Sequence, residues 1–227
     1  MNTSKQKFNS VLSRIEQACI DCDRQFKEVQ LLGVSKTKPA SQIREFYELG
    51  QQHFGENYLS EALSKQEDLN DLKITWHYIG QIQSNKTRLI ANHFDWVHAV
   101  DRIKIAKRLN DQNEQNKKLN ILIQINLDNE ETKAGVSLDQ AIDLIEKIIP
   151  LENLSLRGLM ALPKQRDDQI AQQQCLAQLK TLLDHANSRF NLSLDTISAG
   201  MSGDLEAAIS AGSTMVRVGT DLFGTRA

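Results

Sequence analysis

The stretch Leu31-Leu32-Gly33-Val34-Ser35-Lys36-Thr37-Lys38-Pro39 decides the reading of the fold. Its apolar half is short and suits a buried strand, and Pro39 suits the first turn of a following helix over residues 41–49. Working outward, the same strand-then-helix unit returns along the chain. Strand candidates fall at 31–35, 53–54, 75–79, 96–100, 120–126, 156–160, 196–198 and 214–218, with helical periodicity at 41–49, 103–110, 138–148 and 170–189. Alternation of this kind, with no run of hairpins, implies a parallel sheet covered by helices. Eight units predict a closed (β/α)8 barrel of the TIM type, with an open doubly wound sheet as the alternative. Phe8, Val11, Leu12, Ile15, Ala18, Cys19 and Cys22 recur at helical spacing and predict an extra N-terminal helix over 8–26.

The length of 227 residues is close to the roughly 250 that one such barrel uses. No linker divides the chain, so one domain spanning 1–227 is expected. With 40% hydrophobic and 25% charged residues the composition is globular, and a net charge of -2 excludes a basic nucleic-acid footprint. No apolar run approaches the ~20 residues of a membrane span, and the polar start lacks a signal-peptide core. A cytoplasmic protein without membrane or nucleic-acid partners is expected. Cys19 and Cys22 form a C-x-x-C inside the opening helix, with no second pair and no histidine at zinc spacing, so a packing role is expected and no metal. The Gln-rich piece 165–178 reads as a solvated helix.

Barrel enzymes and binders work at the C-terminal ends of their strands, with phosphate held by the loops after strands seven and eight. Three strand ends carry suitable chemistry. Strand parity sets Lys36 on the face of Leu32 and Val34. There it is either a partly desolvated amine, nucleophilic toward an aldehyde, or a lysine reaching the rim toward carboxylates. In Ala199-Gly200-Met201-Ser202-Gly203-Asp204, loop N–H groups offer an anion site, although Ser202 could equally cap the next helix. Arg217, in Met215-Val216-Arg217-Val218-Gly219-Thr220, points inward and needs an acceptor: a protein carboxylate or a ligand atom.

These residues sit within a wider set: Gly33-Val34-Ser35-Lys36; Phe54-Gly55-Glu56-Asn57-Tyr58; Trp76 to Lys86; Val100-Asp101-Arg102; Arg157-Gly158-Leu159-Met160; Gly200 to Asp204; Val216 to Thr220; and the closing Phe223-Gly224-Thr225-Arg226. With them the chain resembles the pyridoxal phosphate homeostasis proteins, single-domain relatives of the barrel half of alanine racemases. It departs mildly, with Tyr78 for Phe, Ile82 for Leu and Ala199 for Met.

The resemblance implies pyridoxal 5′-phosphate (PLP) as cofactor, joined to Lys36 as a Schiff base. It implies that Met201, Ser202, Gly219 and Thr220 hold the phosphate, mainly through backbone N–H groups. Asn57 approaches the ring hydroxyl, Arg217 faces the pyridine nitrogen, and His77 and Met160 line the pocket; His77 reads equally as a core histidine. An arginine partner leaves the pyridine nitrogen unprotonated and restrains carbanion chemistry. The racemases' catalytic tyrosine comes from a second domain, and none of Tyr47, Tyr58 and Tyr78 matches it, so no catalytic residue is assigned. The expected role is a non-enzymatic monomer that buffers PLP or delivers it to PLP-dependent apo-enzymes. A narrow-scope PLP enzyme, such as an amino-acid racemase, is the alternative. A cofactor-free Schiff-base aldolase is a third class.

Overall fold

The apolar runs form strands because each is covered on one side by an amphipathic helix and on the other by the barrel interior. The computed structural model describes residues 3–130 and 133–225; Arg226, in the closing segment, lies outside them. After helix α1 (Thr3–Ile20), the chain alternates: β1 (Gln30–Val34), α2 (Ala40–Glu48), β2 (His53–Glu56), α3 (Leu59–Asp68), β3 (Thr75–Tyr78), α4 (Thr87–His93), β4 (Trp96–Val100), α5 (Ile103–Gln112), β5 (Leu119–Ile125), α6 (Leu138–Ile148), β6 (Leu154–Ala161), α7 (Gln169–Phe190), β7 (Thr196–Ser198), α8 (Leu205–Ser210), β8 (Met215–Val218) and α9 (Thr220–Phe223). The strands are parallel and run β1 to β8 in order around a closed barrel. Closure is made by β8 on β1, with Leu32 opposite Arg217 and Gly33 opposite Val218. The open-sheet alternative is therefore excluded.

Helix faces supply most of the core. Ile43, Phe46, Ile90, Ile105, Leu109 and Ile145 lie wholly or almost wholly buried between helices and barrel. Each contributes about 1.5–3 kcal/mol by leaving water, and truncation of Leu109 to Ala would cost about 2–5 kcal/mol. Helix α6 starts where Ser137 Oγ accepts from Gln140 N and the Gln140 side chain accepts from Ser137 N, a reciprocal cap.

Both ends of the opening helix differ from the periodicity. The opening helix begins at Thr3 and stops at Ile20 rather than running to 26, because Asp23 takes a left-handed φ of 55° and Arg24 N–H folds back onto Cys19 O. Its buried face, with Phe8, Val11 and Ile15, packs on α8 and α9. Pro39 caps α2 from just outside its first turn. Cys19 is buried and Cys22 donates Sγ–H to Ala18 O; both are free thiols. Among the described residues no cluster of three metal-ligating side chains occurs, and no helix is long and apolar enough to cross a membrane.

Candidate functional site

A cavity of about 310 Å³ opens at the C-terminal ends of the strands, lined by Val34, Lys36, Asn57, Ile79, Met160, Leu162, Gln165, Met201, Ser202, Gly203, Asp204, Arg217, Gly219 and Thr220. Every residue expected at the site lies on its wall except His77. Lys36 stands two residues past Val34, the end of β1, half-buried, and both Val34 and Lys36 line the cavity. The next residue, Thr37, adopts a φ of 64°, unfavourable for a β-branched side chain. Its N–H donates to Glu61 Oε1 at 2.6 Å, and Lys38 N–H donates to Ser35 O, which together hold the strained turn.

Beneath that turn lies a buried charged network. Lys65 Nζ donates to Ser35 O at 2.8 Å, Glu56 Oε1 at 2.8 Å and Glu61 Oε1 at 2.5 Å, and Ser35 Oγ donates to Glu56 Oε1 at 2.5 Å. Burial pushes the Glu56 carboxyl up, against the opposing pull of Lys65 and Ser35. A carboxylate, its lysine and a second carboxylate thus brace the segment that carries Lys36.

Across the cavity Arg217 is only 4% exposed. Its Nη1 donates to Ser198 O at 2.5 Å and Ser198 Oγ at 2.7 Å, and its Nη2 donates to Ala161 O at 2.8 Å. These acceptors are neutral, and among the described residues Arg217 forms no ion pair. Burial lowers its pKa to about 10, with Asp204 pulling the other way, so it is a cation at neutral pH.

The loop after β7 differs in detail from expectation. Gly200 sits at a φ of 94°, and a Cβ there would lie 2.6 Å from that of Ala208, so the turn requires glycine. Met201 N–H, expected to face phosphate, instead donates to Asp204 Oδ1 at 2.7 Å. Among the described residues no acceptor takes the N–H of Ser202 or Gly203, which leaves these two for an anion. Asp204, and not Ser202, occupies the capping position of α8.

Three parts were not foreseen. Gln172, within the Gln-rich piece read as solvated, is buried and donates to Asp204 Oδ2 at 2.7 Å. Gln165 reaches the cavity wall beside Gly203. Arg14 of α1 donates to Ser202 O at 2.9 Å, Glu206 Oε1 at 2.8 Å and Asp221 Oδ2 at 2.6 Å, tying the loops after β7 and β8 together. An arginine on an amphipathic helix reads as solvated, so no sequence signal marked it. Of the two readings of His77, pocket lining or core histidine, the packing fits the second: it is wholly buried, off the cavity wall, bonded to His53 and His98 and stacked on Trp96.

The sequence that builds this site matches the profile of the alanine racemase N-terminal domain over residues 11–227. At 12% identity, an alanine racemase of Clostridium difficile 630 shares the fold with a TM-score of 0.78, over 99% of this chain and 57% of the racemase. A pyridoxal phosphate homeostasis protein of Pseudomonas aeruginosa is 49% identical over all of this chain and 97% of its own length. The PipY structure of Synechococcus elongatus PCC7942 with PLP bound superposes with a TM-score of 0.82 at 36% identity, covering 92% of this chain and 100% of that one. The chain belongs to the alanine racemase N-terminal domain family, and within it to the pyridoxal phosphate homeostasis proteins.

Proposed function

We propose that this protein binds PLP at the barrel mouth as a covalent but reversible store, all 227 residues forming one PLP-binding domain. One observation carries the reading: Lys36, Arg217, Ser202 and Gly203 line one cavity, and among the described residues no acceptor takes the Ser202 and Gly203 N–H groups. The donor set suits PLP: an amine for an aldehyde, a cation for the ring end and N–H groups for a phosphate. Asn57 Oδ1, buried and without a hydrogen-bond partner, adds a polar contact on the β2 side. When bound, PLP supplies the aldehyde. Lys36 in its neutral form adds to that carbon through Nζ, and water leaves as the C=N bond forms, so the linkage reverses by hydrolysis.

The same residues favour holding over turnover. A guanidinium can only donate, so a pyridine nitrogen held beside Arg217 would accept and stay unprotonated, which would weaken the ring as an electron sink. Asp204, the carboxylate on the wall, is engaged by Met201 N–H and Gln172. The reading extends to a cytoplasmic monomer that buffers PLP and passes it to PLP-dependent apo-enzymes, with no part for nucleic acid or membrane. The distant racemases support a second reading, a PLP enzyme of narrow scope. Borohydride reduction of the PLP-loaded protein followed by peptide mass analysis tests the first, with the expected pyridoxyl label on the Lys36 peptide. Deuterium exchange at Cα across a panel of amino acids separates the two readings, and sustained exchange would favour the enzyme.

A further inference from the structure

His53 of β2, His77 of β3, His98 of β4, Ser198 of β7 and Arg217 of β8 form one continuous hydrogen-bonded line. The separations are 3.0 Å from His53 Nδ1 to His77 Nε2, 2.9 Å from His77 Nδ1 to His98 Nε2, 3.1 Å from His98 Nδ1 to Ser198 Oγ and 2.7 Å from Arg217 Nη1 to Ser198 Oγ. Because β4 and β7 are not neighbours in the barrel, the His98–Ser198 link crosses its interior. His77, His98 and Ser198 are wholly buried, and His53 is half-buried at the start of its strand.

The direction of this line follows from donor chemistry. A guanidinium can only donate, so Ser198 Oγ accepts from Arg217. Among the described residues Ser198 Oγ has one other partner, His98 Nδ1, so its O–H donates there. His98 then carries its proton on Nε2 and donates to His77 Nδ1. His77 likewise donates from Nε2 to His53 Nδ1. Each ring is neutral and each has the same tautomer.

We propose that His53, His77, His98 and Ser198 are positioning residues for Arg217, forming a one-directional chain that fixes how the guanidinium meets the ring end of the bound cofactor. The inference rests on reading the cavity as a PLP site. The chain makes Arg217 stiffer than two carbonyl contacts alone would, since turning the guanidinium away strands the Ser198 hydroxyl and every ring behind it. A second proton on His53 or His77 would set donor against donor and break the line there, and one on His98 would force the Ser198 hydroxyl to turn its O–H away and accept instead. The charged groups facing it are Arg217 at the cavity end, Asp95 near His53, and Arg157, 4.9 Å over the Trp96 ring that stacks on His77. Burial first, and then the adjoining imidazoles for His77 and the Arg217 guanidinium for His98, hold both rings well below the usual histidine range.

Long-range proton–nitrogen NMR spectra of the nitrogen-15-labelled full chain, without cofactor at neutral pH, read the tautomers directly. Neutral Nε2–H rings at His53, His77 and His98 are expected; an Nδ1–H or doubly protonated ring among them overturns the chain. The second readout is PLP retention in His98→Leu and His98→Gln. Leucine breaks the line and should weaken retention about tenfold, the scale of a hydrogen bond to a charged group. Glutamine, with an acceptor and a donor, should restore it to within about threefold. Retention equal to wild type in His98→Leu overturns the positioning role. If that variant does not fold, Ser198→Ala removes the hydroxyl at both links with little change of volume, and unchanged retention there overturns it equally. If wild-type Lys36 takes no pyridoxyl label, the PLP reading falls while the cofactor-free spectra still decide the chain.

Discussion

Two cations are buried at the mouth of this barrel, and their surroundings differ. Lys65 is 5% exposed and lies against two carboxylates, Glu56 and Glu61, with a carbonyl completing its shell. Arg217 is as deeply buried, yet its acceptors are two carbonyls and a hydroxyl. Lys65 has its counter-charge within the protein and braces the fold under Lys36. Arg217 is held in place without being neutralised, which leaves its charge for a ligand. One residue type at a strand end or helix face therefore says little until its partners are known.

The largest expected effect breaks the first half of this contrast. Lys65→Met leaves Glu56 buried without its partner and should lower unfolding free energy by about 3–5 kcal/mol. Arg217→Met removes a charge that no carboxylate contacts among the described residues, and should cost about 1–2 kcal/mol, chiefly lost hydrogen bonds. Urea titration of both variants checks the order, and equal losses would dissolve the distinction. The second half is sharpened by ligand retention. Arg217→Met should weaken PLP retention about tenfold or more while the Lys36 linkage still forms, measured by equilibrium dialysis and borohydride labelling.

Acid should act through the core below Arg217. His77 and His98 are held below their unfolded pKa, so the unfolded chain binds more protons once the pH falls below about 6.5. Their contribution is thus present above that pH and lost on acidification, at up to about 1.4 kcal/mol per pH unit for each ring. Glu56, pushed up by burial, works in the opposite direction and offsets part of it. Urea midpoints compared at pH 7.5 and 5.5, in wild type and His77→Gln, test the sign; a wild-type midpoint rising toward acid would refute it.

The smallest effect concerns Arg14, a third exposed and paired with Glu206 and Asp221. Arg14→Ala should weaken PLP by about twofold to fivefold, the scale of a partly exposed ion pair. Pyridoxal, which lacks the phosphate, should bind the variant as it binds wild type. Equal losses for both ligands would mean that Arg14 only supports the fold.

Much of this was legible in the residues. Alternating apolar and amphipathic runs specified the barrel, and parity beyond β1 carried Lys36 into the cavity. Arg217 announced itself because an inward guanidinium on a strand must find an acceptor. What stayed hidden depended on depth and partners. Parity puts His77 inside the barrel but does not say whether it lies at the mouth or beneath it. Asp204 reads as a helix-start acid, yet it takes the Met201 N–H assigned to phosphate, because Gln172 holds it in place from a helix far along the chain. Arg14 reaches its partners across nearly the full length of the sequence, and such a contact leaves no local pattern.

The central claim is that Lys36 is the attachment point in a cavity whose other groups only hold. It is tested most directly by adding PLP to wild type and to Lys36→Ala, desalting both, and recording absorbance. The account predicts a visible band that co-elutes with wild type, disappears on borohydride treatment and is missing from the variant. An equal, borohydride-sensitive band in Lys36→Ala would place the linkage on another lysine and contradict it.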